Sequence, residues 1–193
     1  MDQNLCYLIG DVTWFKDWEP KQWGGTLACR LKLPDIDIDG TGSLQNQSIF
    51  VNCSYKKEDL EKGYISKIRS LMENKSSLSV RGGTIASREK DGNHEYFIKT
   101  NLYSVSEPSE KSGFTSAILH GQCMRHSGDW IQMRTYYRNP KATEKTYRYA
   151  NVYSPSSKKL KLDKLWITVF GEIATKDIEG NESVHVVANR ILV

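Results

Sequence analysis

Flat aromatic rings interleaved with cations at two-residue spacing are the most distinctive chemistry in this chain. Trp130, Gln132, Arg134, Tyr136 and Arg138 fall on alternate positions of one segment, and Tyr147, Tyr149, Asn151 and Tyr153 on alternate positions of the next. Such a set offers π faces to unpaired bases and positive charge to a phosphate backbone. The same rings could instead form a dimer interface or pack beneath loops, and both uses stay open. A thinner version lies earlier: Arg30 and Lys32 alternate in one segment, Phe50 and Asn52 in another.

These positions point one way only if their segments are strands, in which successive side chains alternate between two faces. Leu27, Cys29, Leu31 and Leu33 share one phase, which leaves Arg30 and Lys32 on the other. Val51 and Cys53 point inward, so Phe50 and Asn52 point outward. In the later segments Ile131, Met133, Thr135, Ala150 and Val152 take the buried phase and the aromatic and basic set takes the exposed one. The alternation predicts strands at 5–12, 26–33, 48–55, 77–86 and 94–105, with a helix at 57–73, where Leu60, Tyr64, Ile68 and Leu71 recur at helical spacing. Five strands with a helix between the third and fourth is the chain order of an OB fold, a small Greek-key barrel.

The chain repeats this plan. Shifted by 88 positions, residues 83–105 lie over 171–193 without a gap, with seven identities: Gly83/Gly171, Ile85/Ile173, Ala86/Ala174, Gly92/Gly180, Asn93/Asn181, Asn101/Asn189 and Val105/Val193. Both copies read as strand, Asp91-Gly92 or Glu179-Gly180 turn, strand. Leu8-Ile9-Gly10 pairs with Leu119-His120-Gly121, and Phe50 to Cys53 with Tyr149 to Val152. We therefore expect an all-β protein with one helix, built of two tandem five-stranded OB barrels at 1–105 and 114–193 with a polar linker at 106–113. Residues 155–164 are too short and polar to repeat the helix, so a reduced helix or basic loop is expected there.

The first half resembles the bacterial and phage single-stranded DNA-binding protein family. The resemblance rests on Leu8-Ile9-Gly10-Asp11-Val12, on Phe50-Val51-Asn52-Cys53 with Tyr55-Lys56-Lys57 before a helix, and on Val80-Arg81-Gly82-Gly83 before an Asp-Gly hairpin. It covers roughly residues 4–105 and reaches the second half through the repeat. It implies stacking of bases on Phe50, and on Tyr149 as its counterpart. The sequence departs from the family in a short hairpin with Arg88 and Glu89 where a stacking aromatic is usual, and in an acidic loop before the third strand. The first connection holds Trp14, Trp18 and Trp23, three of the five tryptophans, and is expected either to flank a ligand or to cap the barrel end.

Charge supports a polyanion partner for the second half. Residues 1–108 carry 14 Lys/Arg against 15 Asp/Glu, and residues 109–193 carry 13 against 8. The resulting expectation is a non-enzymatic binder of single-stranded DNA in replication, recombination or repair, needing no cofactor or metal. Single-stranded RNA would satisfy the same rings, and an adaptor for replication or recombination proteins is the rival use of such barrels. The four histidines are scattered, and neither a phosphate loop nor a nucleophile elbow is present. Asp35-Ile36-Asp37-Ile38-Asp39-Gly40 imitates the start of a calcium loop, but Asn46 stands where the bidentate Glu belongs, so a solvated acidic hairpin is expected. No apolar run approaches a membrane span or a leader peptide, and four isolated cysteines suggest reduced thiols. We expect a cytoplasmic protein of a bacterium or phage-infected host, monomeric or homodimeric.

Overall fold

The computed structural model describes residues 3–37, 43–44, 47–60, 63–90, 93–110, 113–137, 143, 146–178 and 181–193. In the first half the strands are β1 (Gln3–Lys21), β2 (Gly24–Lys32), β3 (Ser48–Lys56), β4 (Ser77–Lys90) and β5 (Asn93–Asn101), with helix α1 (Gly63–Glu73) between β3 and β4. The second half has β6 (Phe114–Ser127), β7 (Trp130–Tyr137), β8 (Thr146–Tyr153), β9 (Trp166–Ile178) and β10 (Asn181–Leu192). A short 3₁₀ turn, Pro155–Lys159, takes the place of the helix. This is the all-β OB architecture expected from the sequence, with two closed five-stranded barrels. The turn residues Asp91-Gly92 and Glu179-Gly180 lie outside the described residues, as do Ile38 to Gly40 and Asn46 of the acidic loop. That loop is flanked by a two-residue ladder, Ile36–Asp37 with Ser43–Leu44, rather than by helices.

Each barrel closes because its first strand changes partner. The start of β1 pairs antiparallel with β4, from Cys6↔Gly83 to Asp11↔Ser77, and the rest pairs with β2 from Val12↔Leu31 onward. Strand β2 pairs with β3, β3 runs parallel to β5, and β5 returns to β4. The second barrel repeats this: β6 pairs with β9 from Ala117 to Gln122 and with β7 from Gln122 to Ser127. Strand β8 is parallel to β10, which pairs with β9.

The partner switch falls at a glycine in both barrels. A Cβ on Gly10 would stand 2.2 Å from the Lys32 carbonyl oxygen, and one on Gly121 would stand 2.3 Å from that of Arg134. Backbone approaches backbone there more closely than any side chain permits. The sequence repeat that aligned these two glycines therefore marks one structural requirement met twice.

Inside the first barrel Leu8, Leu27, Leu31, Ile49, Val51, Leu78, Val80 and Ile98 are fully buried. Helix α1 adds Ile65, Ile68 and Met72. This stripe differs from the expected one, since Leu60 is exposed and precedes the helix, and Tyr64 and Leu71 are only half-buried. Residues 57–59 form a separate 3₁₀ turn, so the helical phase begins later than the spacing suggested. The helix ends in a Schellman arrangement, with Ser76 N–H donating to Leu71 O (2.9 Å) and Lys75 N–H to Met72 O (3.2 Å). Lys75 occupies the left-handed position there, at φ 53°. In the second half, residues 155–164 contribute only one buried apolar side chain, Leu162.

The chain divides by contacts into two compact units: residues 6–84 with 97–115, and residues 116–193 with 1–5 and 85–96. The grouping thus crosses the boundary read from the sequence in three segments, 1–5, 85–96 and 114–115. Strand β4 runs to Lys90 rather than stopping near residue 86, and the far half of its hairpin joins the second unit. Within that unit the Asn4 side chain imitates a strand, donating to Ile85 O (3.0 Å) and accepting from Ile85 N–H (2.9 Å).

Two glycine substitutions test the closure. Gly10→Ala and Gly121→Ala should each cost about 1–3 kcal/mol in denaturant unfolding, the usual penalty of an overpacked site. Gly63→Ala, whose added methyl meets nothing within 4 Å, serves as the control and should cost nothing. An unchanged midpoint for both strand variants would contradict the close crossing.

Candidate nucleic-acid interface

Antiparallel pairing sets residues side by side across neighbouring strands, so the outward faces form rows. In the first unit one row runs from Trp14 on β1 through Arg30 on β2 to Phe50 on β3. The Trp14 and Phe50 rings, two strands apart, lie 5.6 Å between centroids at 37°, leaning toward each other over Arg30. Arg30 Nη1 donates to Ser48 Oγ at 3.3 Å, which holds the guanidinium near the sheet. The next row is Lys16, Ala28, Asn52 and Lys99, and the one beyond is Trp18, Thr26, Ser54 and Asn101. Lys16 Nζ stands 4.1 Å from the Trp18 ring centre, a cation–π contact. Lys32, opposite Ser48, is exposed.

The second unit repeats the central pair. Arg134 faces Tyr149 across β7 and β8 as Arg30 faces Phe50 across β2 and β3. Its guanidinium donates to Gln122 Oε1 at 2.7 Å and lies 4.5 Å from the Tyr147 ring centre. Tyr136 and Tyr147 pair directly and meet edge to face at 6.4 Å. Trp130 pairs with Tyr153, with ring centroids 5.1 Å apart, and its other contact is an edge to the buried His185 at 5.2 Å. A hollow of about 300 Å³ opens among Arg125, Trp130, Gln132 and Asn151. Tyr149 is 43% exposed, and Trp130, Tyr136 and Tyr147 are nearly as open. These rings are fixed by their strands and by one another yet keep about two-fifths of their surface open, which leaves area for base stacking.

In β7 and β8 the sorting of side chains by strand phase holds, with Ile131, Met133, Thr135, Ala150 and Val152 buried and their neighbours not, whereas in β2 the small outward-phase Ala28 is buried as well. The first connection is different. Trp14 and Trp18 are not in a loop but in β1, which continues through Lys21 as a hairpin with β2. Only Trp23 sits in the turn. The physical reason is plain alternation: Trp14, Lys16 and Trp18 face outward while Phe15 opposite Cys29 faces in, a strand pattern hidden by its tryptophans and charges. Gly24, at φ 139°, makes the turn possible, since any side chain there would meet the Tyr55 carbonyl. Arg88 is engaged within its own hairpin by Glu95, at 2.7–2.8 Å. Arg138 lies outside the described residues.

Four further residues join these rows. Lys16 and Lys99 flank Asn52 in the first unit, and Arg125 stands opposite Gln132 in the second. Trp166, 52% exposed, lies in register with Gln122 and so extends the row of Arg134 and Tyr149 by two strands. Alternation marks Lys99 within the strand already read at 94–105 and Lys16 once its strand is extended, whereas Arg125 and Trp166 depend on pairing register. Burial pushes the Cys29 thiol up to about 12 and that of Cys123 to about 11, and raises Cys53 as well, so these thiols stay protonated near neutrality. His126 Nε2 meets Ser157 Oγ at 3.2 Å, but Asp163 bonds the His126 backbone N–H rather than its ring, so the three do not form a catalytic relay.

No family model and no curated protein matches this sequence. Among solved structures the chain is similar to the single-stranded DNA-binding protein from Thermus aquaticus. The wild-type form matches with a TM-score of 0.63 at 12% identity, over 99% of this chain and 92% of that one. A deletion variant of the same protein matches with a TM-score of 0.66, also at 12% identity, over 99% and 94%. At that identity the likeness concerns backbone, and it extends over nearly the whole of both chains: this protein has the fold of that single-stranded DNA-binding protein.

Proposed function

We propose that the chain binds single-stranded DNA, stacking unpaired bases on the outward rings of its barrels and holding phosphates with the Lys and Arg side chains between them. The observation that carries this reading is the repeated Arg–aromatic pair, Arg30 with Phe50 and Arg134 with Tyr149, on the open face of each barrel. A cation beside a ring suits a polymer that alternates charge with flat bases. The rings tolerate any base, so the binding is largely independent of sequence. The fold shared with the Thermus aquaticus single-stranded DNA-binding protein supports the same reading. The function is protection of exposed strands during replication, recombination or repair, by binding rather than catalysis. We place it in the cytoplasm of a bacterium or phage-infected host, as a monomer or homodimer.

The first test is a fluorescence titration with oligo-dT and with duplex of equal length. Tight binding to the single strand and weak binding to the duplex is the expected result; equal affinity sinks the proposal. A matched RNA oligomer in competition separates DNA from RNA binding.

Stacking and charge separate by mutation. Tyr149→Ala should weaken oligo-dT binding by about 1–3 kcal/mol with little change in the salt dependence. Stability should move by no more than about 0.5 kcal/mol, as for a surface site. Arg134→Ala should make the slope of log K against log salt shallower by about 0.7, the value of one phosphate on a single strand. Matching slopes for the two variants would refute the division of labour.

A further inference from the structure

The first unit carries a hollow of about 500 Å³ at the end of its third row, within the roughly 300–1,000 Å³ of small-ligand sites. It opens where the outward row of β3 ends. The alternation that turns out Phe50 and Asn52 continues to Ser54, and Ser54 pairs with Asn101 on β5; both line the hollow. Trp23 at the β1–β2 turn and Tyr103 just after β5 supply two rings to its wall, and both are far more open than packing rings, at 61% and 57%. Neither is loosely placed. The Trp23 carbonyl accepts from Lys57 N–H at 3.3 Å. Tyr103 stacks on the half-buried Tyr64 at 5.9 Å and 13°, which occupies one of its faces, and its hydroxyl donates to Asp59.

The electrical character of the hollow differs from that of the rows. Asp59 is buried in its floor, and its second oxygen accepts from Lys56 N–H at 3.0 Å. Glu58 lies beside it, paired at 3.4 Å with Lys56, whose long side chain stands at the rim in solvent. Two carboxylates exclude a phosphate from the interior and favour the electropositive amino edge of a base. The Asn101 side-chain oxygen Oδ1 accepts from Ser104 N–H at 3.0 Å and from the Ser104 hydroxyl at 3.1 Å, which leaves donation as the function of its amide N–H₂.

From this we infer that the hollow bounded by Trp23, Tyr103 and Asn101 is a pocket for one nucleobase of the bound strand, and that it prefers an amino-bearing base to thymine. The inference rests on the single-stranded DNA reading and adds a base preference to it. The rings hold the base by stacking, Lys56 meets its phosphate at the rim, and the carboxylate floor faces the amino group. Thymine can offer that negative floor only its single N3–H, set between two carbonyl oxygens that the carboxylates repel, and is disfavoured. The other side-chain rows accept all bases, so the preference is modest and comes from this one site.

The test compares oligo-dC with oligo-dT on the full chain. Wild type should bind oligo-dC about three- to tenfold more tightly, the worth of about one net hydrogen bond. Trp23→Ala should bring that ratio to about one, and Trp23→Phe, which keeps a stacking face, should restore most of it. Thermal melts confirm folding, which the exposure of Trp23 leaves intact. A titration of wild type with dCMP, followed by the Trp23 indole N–H resonance, is the second measurement and should shift that signal more than dTMP does. Wild type binding both oligomers equally, or a ratio unchanged in Trp23→Ala, overturns the pocket while leaving the stacking rows standing. Failure to bind either oligomer overturns the DNA reading and the pocket together.

Discussion

Everything on the outer faces depends on a contact in which no side chain takes part: the passage of β1 past the end of β2 at Gly10, repeated by β6 and β7 at Gly121. Each first strand must serve two partners, and it can turn from one to the other only where backbone meets backbone without a Cβ between them. Closure of the barrel follows from that turn. So does register, because a strand held at its switch point cannot slip by one residue without turning its apolar set outward. Trp14 faces Arg30 and Phe50, and Gln122 faces Arg134 and Tyr149, because the switch fixes where each strand starts its second pairing.

The rings stay open because the interior is already satisfied without them. Leu27, Cys29, Leu31, Val51 and Cys53 fill the first barrel, and Ile131, Met133, Ala150 and Val152 serve the second. The outward aromatics are then held by one another and by cations: Trp14 against Phe50, Lys16 over Trp18, Arg134 over Tyr147. Such contacts orient a ring at modest cost while leaving a face for a ligand. The two units use this device differently. The first has three indoles together with an acidic hollow at the end of its rows, and the second joins Trp130 and Trp166 to several tyrosines in a surrounding richer in Lys and Arg.

Much of this was legible because period-two alternation is a local property. The contrast of Leu31 with Arg30 and Lys32, or of Ala150 with Tyr149, needs no knowledge of the partner strand, and the outward faces follow directly. What could not be read depends on partners distant in sequence. Trp14 and Phe50 are 36 positions apart and meet only through β2; Trp166 joins the row of Arg134 only through the β6–β9 register. The 13–21 segment reads as a connection in the sequence because its outward residues are tryptophans and a lysine, and its inward-phase ones, Phe15 and Asp17, are not uniformly apolar. Asp17 instead pairs with Arg69 of α1 at 2.7 Å, a tertiary contact with no sequence signal. Helical spacing marks α1 in the sequence, but it counts Leu60, which precedes the helix, and so shifts the stripe away from the buried Ile65, Ile68 and Met72.

The central claim is that unpaired bases lie against the outward rings of both barrels. Photocrosslinking of the full chain to a 5-iododeoxyuridine-substituted strand, with adducts mapped by peptide mass spectrometry, tests it directly because the reaction needs contact with the base and favours aromatic rings. The account predicts adducts at Trp14, Phe50, Trp130 or Tyr149, in peptides from both barrels. Efficient crosslinking confined to other surfaces, with those four rings unmodified, would contradict it.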